Sequence, residues 1–234
     1  SYCNIDHEDG EIFYTTTQYR RLYRNNHGVI DTLTNDNIVN NNTLFINPIE
    51  MDPNDPELLY QLTNRGLWRL KNARTAVADD WEKACRNFGS FSAIGISKSS
   101  QNTVFLGRTT GGVIYRIDDA NTSPDNFLPI NCDPSGFLPD AYCRSIYVDP
   151  ENVNHVLVTY SNYGTESVWE TNDILSGNPT WISHEGNLPD IPIRWGLIHP
   201  ENKNVCYLAT EAGVMMTTEL SGTSTKWVSI NTGL

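Results

Sequence analysis

The chain has no run of lysine or arginine anywhere in its 234 residues, and 16 basic residues stand against 28 acidic ones, a net charge of −12. Sequence-independent binding to nucleic acid rests on cations that track the phosphates. A nucleic-acid partner is therefore not expected, nor is binding to an anionic membrane surface. No apolar stretch approaches the ~20 residues that cross a bilayer as a helix, so membrane insertion is not expected either. No secretory leader is present and Ser1 opens on a polar segment, which fits a mature form or an excised piece as well as a cytoplasmic protein. The G-x-G-x-x-G and Walker patterns are missing, so no nucleotide cofactor is expected. His7, His27, His155, His184 and His199 are never four residues apart, nor paired with cysteine at finger spacing. Asp52-Pro53-Asn54-Asp55, and Asp133 with Asp140, offer oxygens to Ca²⁺ but lack the spacing of an EF-hand loop. No metal is expected.

Charged residues, at 19%, fall below the usual ~25%. Asparagine, threonine, serine and glycine fill the gap, and these form turns. Hydrophobic residues make up 38% and aromatics 10%, enough for a sizeable core. The composition predicts many short strands joined by many turns.

Five segments share one pattern: a short run, an Asp-Pro-type turn, a second run, a Gly/Asn turn, then an aromatic run. The turn anchors are Asp6, Asp52, Ser97, Asp149 and His199, separated by 46, 45, 52 and 50 residues. Periods of ~40–50 residues with several strands each are the signature of propeller blades. The fourth segment shows the plan. Arg144 to Val148 is the first strand, ended at Asp149-Pro150 because proline lacks an N–H. His155 to Tyr160 alternates as a second strand. Gly164 sits in the next turn, Ser167 to Thr171 is the third strand, and Thr180 to Ser183 the fourth. Trp81, Trp181 and Trp227 all fall at the fourth-strand position, where between-blade core is expected. Thr75 to Arg86 reads either as the one helix or as a loop plus outer strand. The predicted fold class is all-β: a single β-propeller domain over 1–234 of about five four-stranded blades, with repeats at about 1–46, 47–90, 91–142, 143–192 and 193–234. It closes by itself or is a portion of a larger propeller, and an incomplete ring would expose faces for self-association.

Val148-Asp149-Pro150 with Val168-Trp169-Glu170-Thr171-Asn172-Asp173, and Met51-Asp52-Pro53 with Gly66-Leu67-Trp68-Arg69, carry a likeness. These units resemble BNR/Asp-box and sortilin-like propeller repeats, also seen in family 74 glycoside hydrolases. The stretch from Ser145 to Gly233 is similar to the repeats of large secreted bacterial surface proteins. The resemblance implies the fold over nearly the whole chain and leaves the role open, because one fold hosts many functions. The boxes are eroded. Thr171-Asn172-Asp173 begins one, but Gly177 and Thr180-Trp181 arrive three residues late, and Leu220 stands where the last box needs aspartate. The sialidase arginine triad and F/Y-R-I-P motif are absent; Pro192-Ile193-Arg194-Trp195 is not that motif.

Glycosidase chemistry needs two carboxylates about 5–10 Å apart across a cleft. In a propeller the second-to-third-strand turns and the interblade loops gather on one rim. Asp140 and Glu185 on the loops, with Glu166 and Glu211 on the turns, are the catalytic candidates if the chain is a hydrolase. The same rim is expected to carry Gln18, Tyr19, Asn64, Arg65, Arg108, Tyr163, Arg194 and Trp195, a mix of aromatic, amide and arginine groups suited to a polar or protein ligand. Cys132 and Cys143 bracket a ten-residue loop; on export a disulfide there would stiffen the loop by up to ~3 kcal/mol. Cys206 is expected as a buried small hydrophobe, and the odd count of cysteines leaves a thiol over. The favoured function is a non-catalytic secreted or cell-surface binding or scaffold module for a protein or polysaccharide. The rival is a xyloglucanase- or sialidase-like glycoside hydrolase. A third reading, an intracellular docking platform, is favoured if all five cysteines are thiols.

Overall fold

The computed structural model describes residues 2–18, 21–35, 38, 45, 47–63, 66–87 and 89–231. They form five four-stranded antiparallel sheets, each a meander of consecutive strands. The first holds β1 (Cys3–Ile5), β2 (Ile12–Thr16), β3 (Leu22–Asn26) and β4 (Val29–Thr32). The second holds β5 (Ile49–Asp52), β6 (Asp55–Thr63), β7 (Gly66–Lys71) and β8 (Glu82–Lys83). The third holds β9 (Phe91–Ile96), β10 (Val104–Arg108), β11 (Ile114–Ile117) and β12 (Ile130–Asn131). The fourth holds β13 (Cys143–Asp149), β14 (Asn152–Tyr160), β15 (Val168–Thr171) and β16 (Ile182–Ser183). The fifth holds β17 (Ile193–Ile198), β18 (Cys206–Thr210), β19 (Gly213–Thr217) and β20 (Val228–Ser229). Contacts divide the chain into two compact units, 1–104 with 117–130, and 105–116 with 131–234.

The anchor residues explain the repeat. Each uses its side chain to accept a backbone N–H from its own turn. Asp6 Oδ1 takes Glu8 N–H at 2.9 Å, Asp52 Oδ1 takes Asn54 N–H at 2.8 Å and Asp149 Oδ1 takes Glu151 N–H at 2.9 Å. Ser97 Oγ takes Ser100 N–H at 3.0 Å, and His199 Nδ1 takes Glu201 N–H at 3.1 Å. Aspartate, serine and histidine interchange here because the turn needs an acceptor, not a charge. Strand β14 begins at Asn152, so Pro150 and Glu151 alone turn the chain, tighter than the sequence pattern predicts.

The tryptophans stand immediately before the fourth strands, and each donates its indole N–H to the sheet behind. Trp81 reaches Leu33 O at 3.0 Å, Trp181 reaches Cys132 O at 2.9 Å and Trp227 reaches His184 O at 2.8 Å. All three are buried, each worth about 2–3 kcal/mol in apolar burial, with the polar edge satisfied. Between Thr75 and Arg86 the chain forms a short 3-10 turn, Ala78–Asp80, and then β8. The loop-plus-strand alternative holds there, because Trp81 must face inward to meet Leu33.

In the first unit the core gathers Ile12, Tyr14, Leu22, Ile49, Met51, Leu59 and Trp81. In the second it gathers Leu157, Val168, Ile193, Ile198, Cys206, Leu208 and Trp227; Cys206 is buried among these apolar side chains, as its alternation predicts. The Cys132–Cys143 disulfide expected from the loop is not formed. All five cysteines are thiols. Cys132 follows the fourth strand of the third sheet, whereas Cys143 opens the first strand of the fourth. The thiol of Cys143 is wholly buried, and burial pushes its pKa far up.

Candidate functional site

The second-to-third-strand turns and the interblade loops of the fourth and fifth sheets supply the site, all within the second unit. Asp190, in the loop before β17, accepts Gly164 N–H at 2.6 Å. Glu185, in the same loop, accepts Ser167 N–H at 2.6 Å. With Glu166, Thr165 and Leu188 these residues line an open hollow of about 340 Å³. Burial raises the pKa of Glu185, and the neighbouring Glu166 and Asp190 raise it further against the Ser167 hydrogen bond.

Beside the hollow, Tyr163 Oη donates to Glu211 Oε2 at 3.0 Å, and Arg194 Nη2 donates to Glu211 Oε1. Those two bonds hold the Glu211 pKa below the usual range. Tyr163 is 64% and Trp195 45% exposed. Tyr163, Arg194 and Trp195 are exposed groups of the kind that stack on, and hydrogen-bond to, a polar partner.

The remaining rim residues divide. Asp140 accepts Gly111 N–H across the turn that follows Arg108. That is the bond Asp190 makes to Gly164, one repeat earlier. The signal stands in the sequence as Leu138-Pro139-Asp140 and Leu188-Pro189-Asp190, 50 residues apart, each with an arginine four positions on, Arg144 and Arg194. Asp140 thereby fastens a turn. Gly112 in the same turn has φ +58, and a Cβ there would lie 1.7 Å from Pro139 O, so only glycine fits. Gln18 is exposed in the first unit. Tyr19, Asn64 and Arg65 lie outside the described residues. Sequence reasoning missed Asp190, which the repeated tripeptide identifies, and Glu50 on β5. Burial pushes the Glu50 carboxyl up to about 7; its neighbours in sequence give no hint of that.

No group of three or more potential metal ligands stands together among the described residues. Asp133 is occupied by Phe137 and Leu138 N–H at 2.8 and 3.1 Å. No described helix is long and apolar enough to cross a membrane.

The chain matches solved structures at low identity. A GH74 xyloglucanase from Xanthomonas campestris superimposes with TM-score 0.69 at 13% identity, over 94% of this chain and 36% of that one. An ancestral GH74 enzyme gives 0.65 at 15%, over 100% and 31%. A chain of the COPII outer coat vertex on membranes gives 0.64 at 7%, over 91% and 57%. The fold is that of a β-propeller. At these identities the likeness shows the propeller and not its role, and this chain spans about a third of the length of the two GH74 enzymes. No protein-family model and no curated protein matches the propeller sequence.

Proposed function

We propose that this propeller is a non-catalytic binding module of the BNR-like kind, secreted or displayed at a cell surface. Its ligand is a protein or polysaccharide held by Tyr163, Arg194 and Trp195 beside the Glu166–Glu185–Asp190 hollow. One observation carries the reading: three of the four candidate carboxylates, Asp140, Glu185 and Glu211, already have structural partners, as does Asp190. Asp140, Asp190 and Glu185 accept backbone N–H groups, and Glu211 is held by Tyr163 and Arg194. A general acid or base must reach substrate with its proton-carrying oxygen. The eroded Asp-box supports the repeat assignment, because Asp173 Oδ1 still accepts Thr171 Oγ1 and Thr180 N–H at 2.7 and 2.8 Å.

The rival glycoside hydrolase draws on Glu185, raised in pKa with Glu166 in the same hollow. The compartment has a second reading: five thiols suit a protein-docking platform in a reducing environment. A glycan and protein array read together with a reducing-sugar assay tests the proposal. Binding without sugar release is expected, weakened about tenfold or more by Trp195→Ala, the magnitude of an exposed aromatic anchor. Sugar release that Glu185→Gln abolishes would establish the hydrolase.

A further inference from the structure

Two consecutive corners of the rim, both within the second unit, are built from the same parts. In each, a Leu-Pro-Asp segment leads into the first strand of the next sheet, Leu138-Pro139-Asp140 into β13 and Leu188-Pro189-Asp190 into β17. Each segment closes on itself, Ala141 N–H to Pro139 O and Ile191 N–H to Pro189 O, both at 2.8 Å. Each aspartate accepts the N–H of a left-handed glycine in the preceding sheet's turn, Gly111 at φ +74 and Gly164 at φ +68. The second residue of each first strand is an arginine, Arg144 or Arg194. Both stand in a register shift, between Cys143 and Ser145 and between Ile193 and Trp195. A bulge re-aims the side chain it carries, so the two guanidinium groups leave equivalent strands at equivalent points.

The corners differ in what meets the arginine. Arg194 donates to Glu211, the first residue after β18, and Tyr163, just before Gly164, donates to the same carboxylate. In the earlier corner the first residue after β14 is Ser161, and Thr110 stands before Gly111. The registers agree, since Cys143 pairs with Tyr160 as Ile193 pairs with Thr210. A serine there offers neither a carboxylate nor the reach of glutamate.

Among the described residues the Arg144 side chain makes no hydrogen bond or ion pair, and its Nε is closed off from solvent without an acceptor. Arg108, the last residue of β10, is in the same condition at Nε. A Cβ on Gly111 would lie 3.9 Å from Arg108 Nη1, so this second guanidinium stands against the same turn. Tyr160 ties that turn to the start of β13 by donating to Gly112 O at 2.6 Å. Asp140, the nearest acid in sequence, is turned to Gly111 N–H and pairs with neither arginine. A partly buried guanidinium without an acceptor carries a desolvation cost that an anion offsets.

We propose that Arg144, with Arg108 beside it, binds the carboxylate of a glutamate or aspartate side chain from a partner protein. The fold supplies the precedent, because one repeat later the chain's own Glu211 makes that contact on Arg194. A planar guanidinium takes a carboxylate through two parallel N–H donors, a geometry that an ammonium or an amide does not reproduce. The inference does not depend on the ligand proposed for Tyr163, Arg194 and Trp195, since none of those residues belongs to this corner.

Fluorescence anisotropy of a labelled hexaglutamate peptide with the full chain tests it, alongside hexaglutamine and an oligogalacturonate. At ~0.15 M salt, charges more than about 8 Å apart are screened, so the net charge of −12 does not mask a contact pair. Wild type binds hexaglutamate, and binds hexaglutamine at least about tenfold more weakly, the scale of one charge-assisted pair. Arg144→Gln weakens hexaglutamate binding by the same factor. Ser161→Glu does so too, because it returns to this corner the carboxylate that Glu211 supplies in the next. That variant keeps Arg144, so it decides the matter if Arg144→Gln loses its folded circular dichroism. Wild type that does not bind hexaglutamate overturns the inference. So does binding that both variants leave unchanged. An oligogalacturonate bound more tightly than the peptide also overturns it, and assigns the corner to an acidic sugar.

Discussion

The same structural position is solved in opposite ways in the first two sheets and in the fourth. In the first and second sheets, both in the first unit, the third strand presents an arginine to the sheet in front, as Arg116 of the third sheet does to Ile174 O at 3.3 Å. Arg24 donates to Ala73 O and Ala76 O at 2.9 Å, with Asp31 as its counterion at 2.7 Å. Arg69 donates to Ala120 O and Ser123 O at 3.0 and 2.7 Å, with Glu82 at 2.9 Å. In the second unit the equivalent residue on β15 is Glu170. It accepts His155 Nε2–H at 2.6 Å and His184 Nε2–H at 2.8 Å. His184 Nδ1 accepts Gly222 N–H at 3.1 Å beside Thr225, so the fifth sheet's loop is reached through an imidazole relay. His155 faces Asp149 at Nδ1 and Glu170 at Nε2, and against its burial these two carboxylates raise its pKa and favour the imidazolium. Lys203 completes the cluster, on Asp149 at 2.8 Å and Glu151 at 3.4 Å. The difference teaches that the seam between sheets demands satisfied polar groups, not one residue type. Arginine meets that demand alone and at any pH; histidine meets it conditionally.

The largest effect is expected from removing the carboxylate. Glu170→Ala leaves the His155 cation and the His184 donor buried without a shared partner, a loss of about 3–5 kcal/mol. Next, Arg69→Met takes the charged donor from the Ala120 and Ser123 carbonyls, about 2–3 kcal/mol, while Glu82 keeps Lys71 at 3.1 Å. Thiol labelling along a urea titration, read by mass spectrometry, separates the units. Cys206 lies in the core of the second unit and Cys85 is buried in the first. Glu170→Ala should expose Cys206 at lower urea with Cys85 unmoved, and Arg69→Met should do the reverse. Equal shifts at both cysteines for either variant would mean that the seams do not belong to separate units.

Much of this was legible in the residues. The five anchors and their ~50-residue spacing announced five four-stranded repeats, because a turn that needs an acceptor recurs with the sheet it closes. The fourth-position tryptophans announced the packing between sheets. The seam residues were not legible. Tyr23-Arg24, Trp68-Arg69 and Tyr115-Arg116 stand on third strands, yet their partners lie 49 to 58 residues away and are backbone carbonyls, which carry no side-chain signature. The Glu170 cluster was hidden for the same reason. His155 and His184 match no ligand spacing, and only the pleat brings them to one carboxylate. On the rim, Tyr163, Glu211 and Arg194 come from three segments that meet through side-chain hydrogen bonds.

The smallest effect is the pH response, and it sharpens the contrast without mutation. For His155, burial acts to lower the pKa, but the hydrogen bonds from Glu170 and Asp149 outweigh it and the net shift is upward. A group whose folded pKa is raised stabilises fully below its unfolded value, about 6.5, and loses that contribution as pH rises through the folded value. For Glu170, burial acts upward, but His155 and His184 outweigh it and hold the carboxyl at about 2. Its contribution is present above the unfolded value of about 4.5 and fades as pH falls toward 2. Glu151 and Cys206 also face the cluster. Burial drives the Cys206 thiol to about 12, so it stays neutral throughout. The second unit is therefore expected to resist urea best between about pH 4.5 and 6.5, and to lose resistance at pH 9. The Arg69 seam, charged across this whole range, should hold the first unit steady. Labelling midpoints of Cys206 and Cys85 at pH 6 and pH 9, each corrected for the intrinsic thiolate fraction, measure the difference. A Cys206 midpoint that does not fall between the two pH values would mean that His155 is not the imidazolium its two carboxylate partners favour.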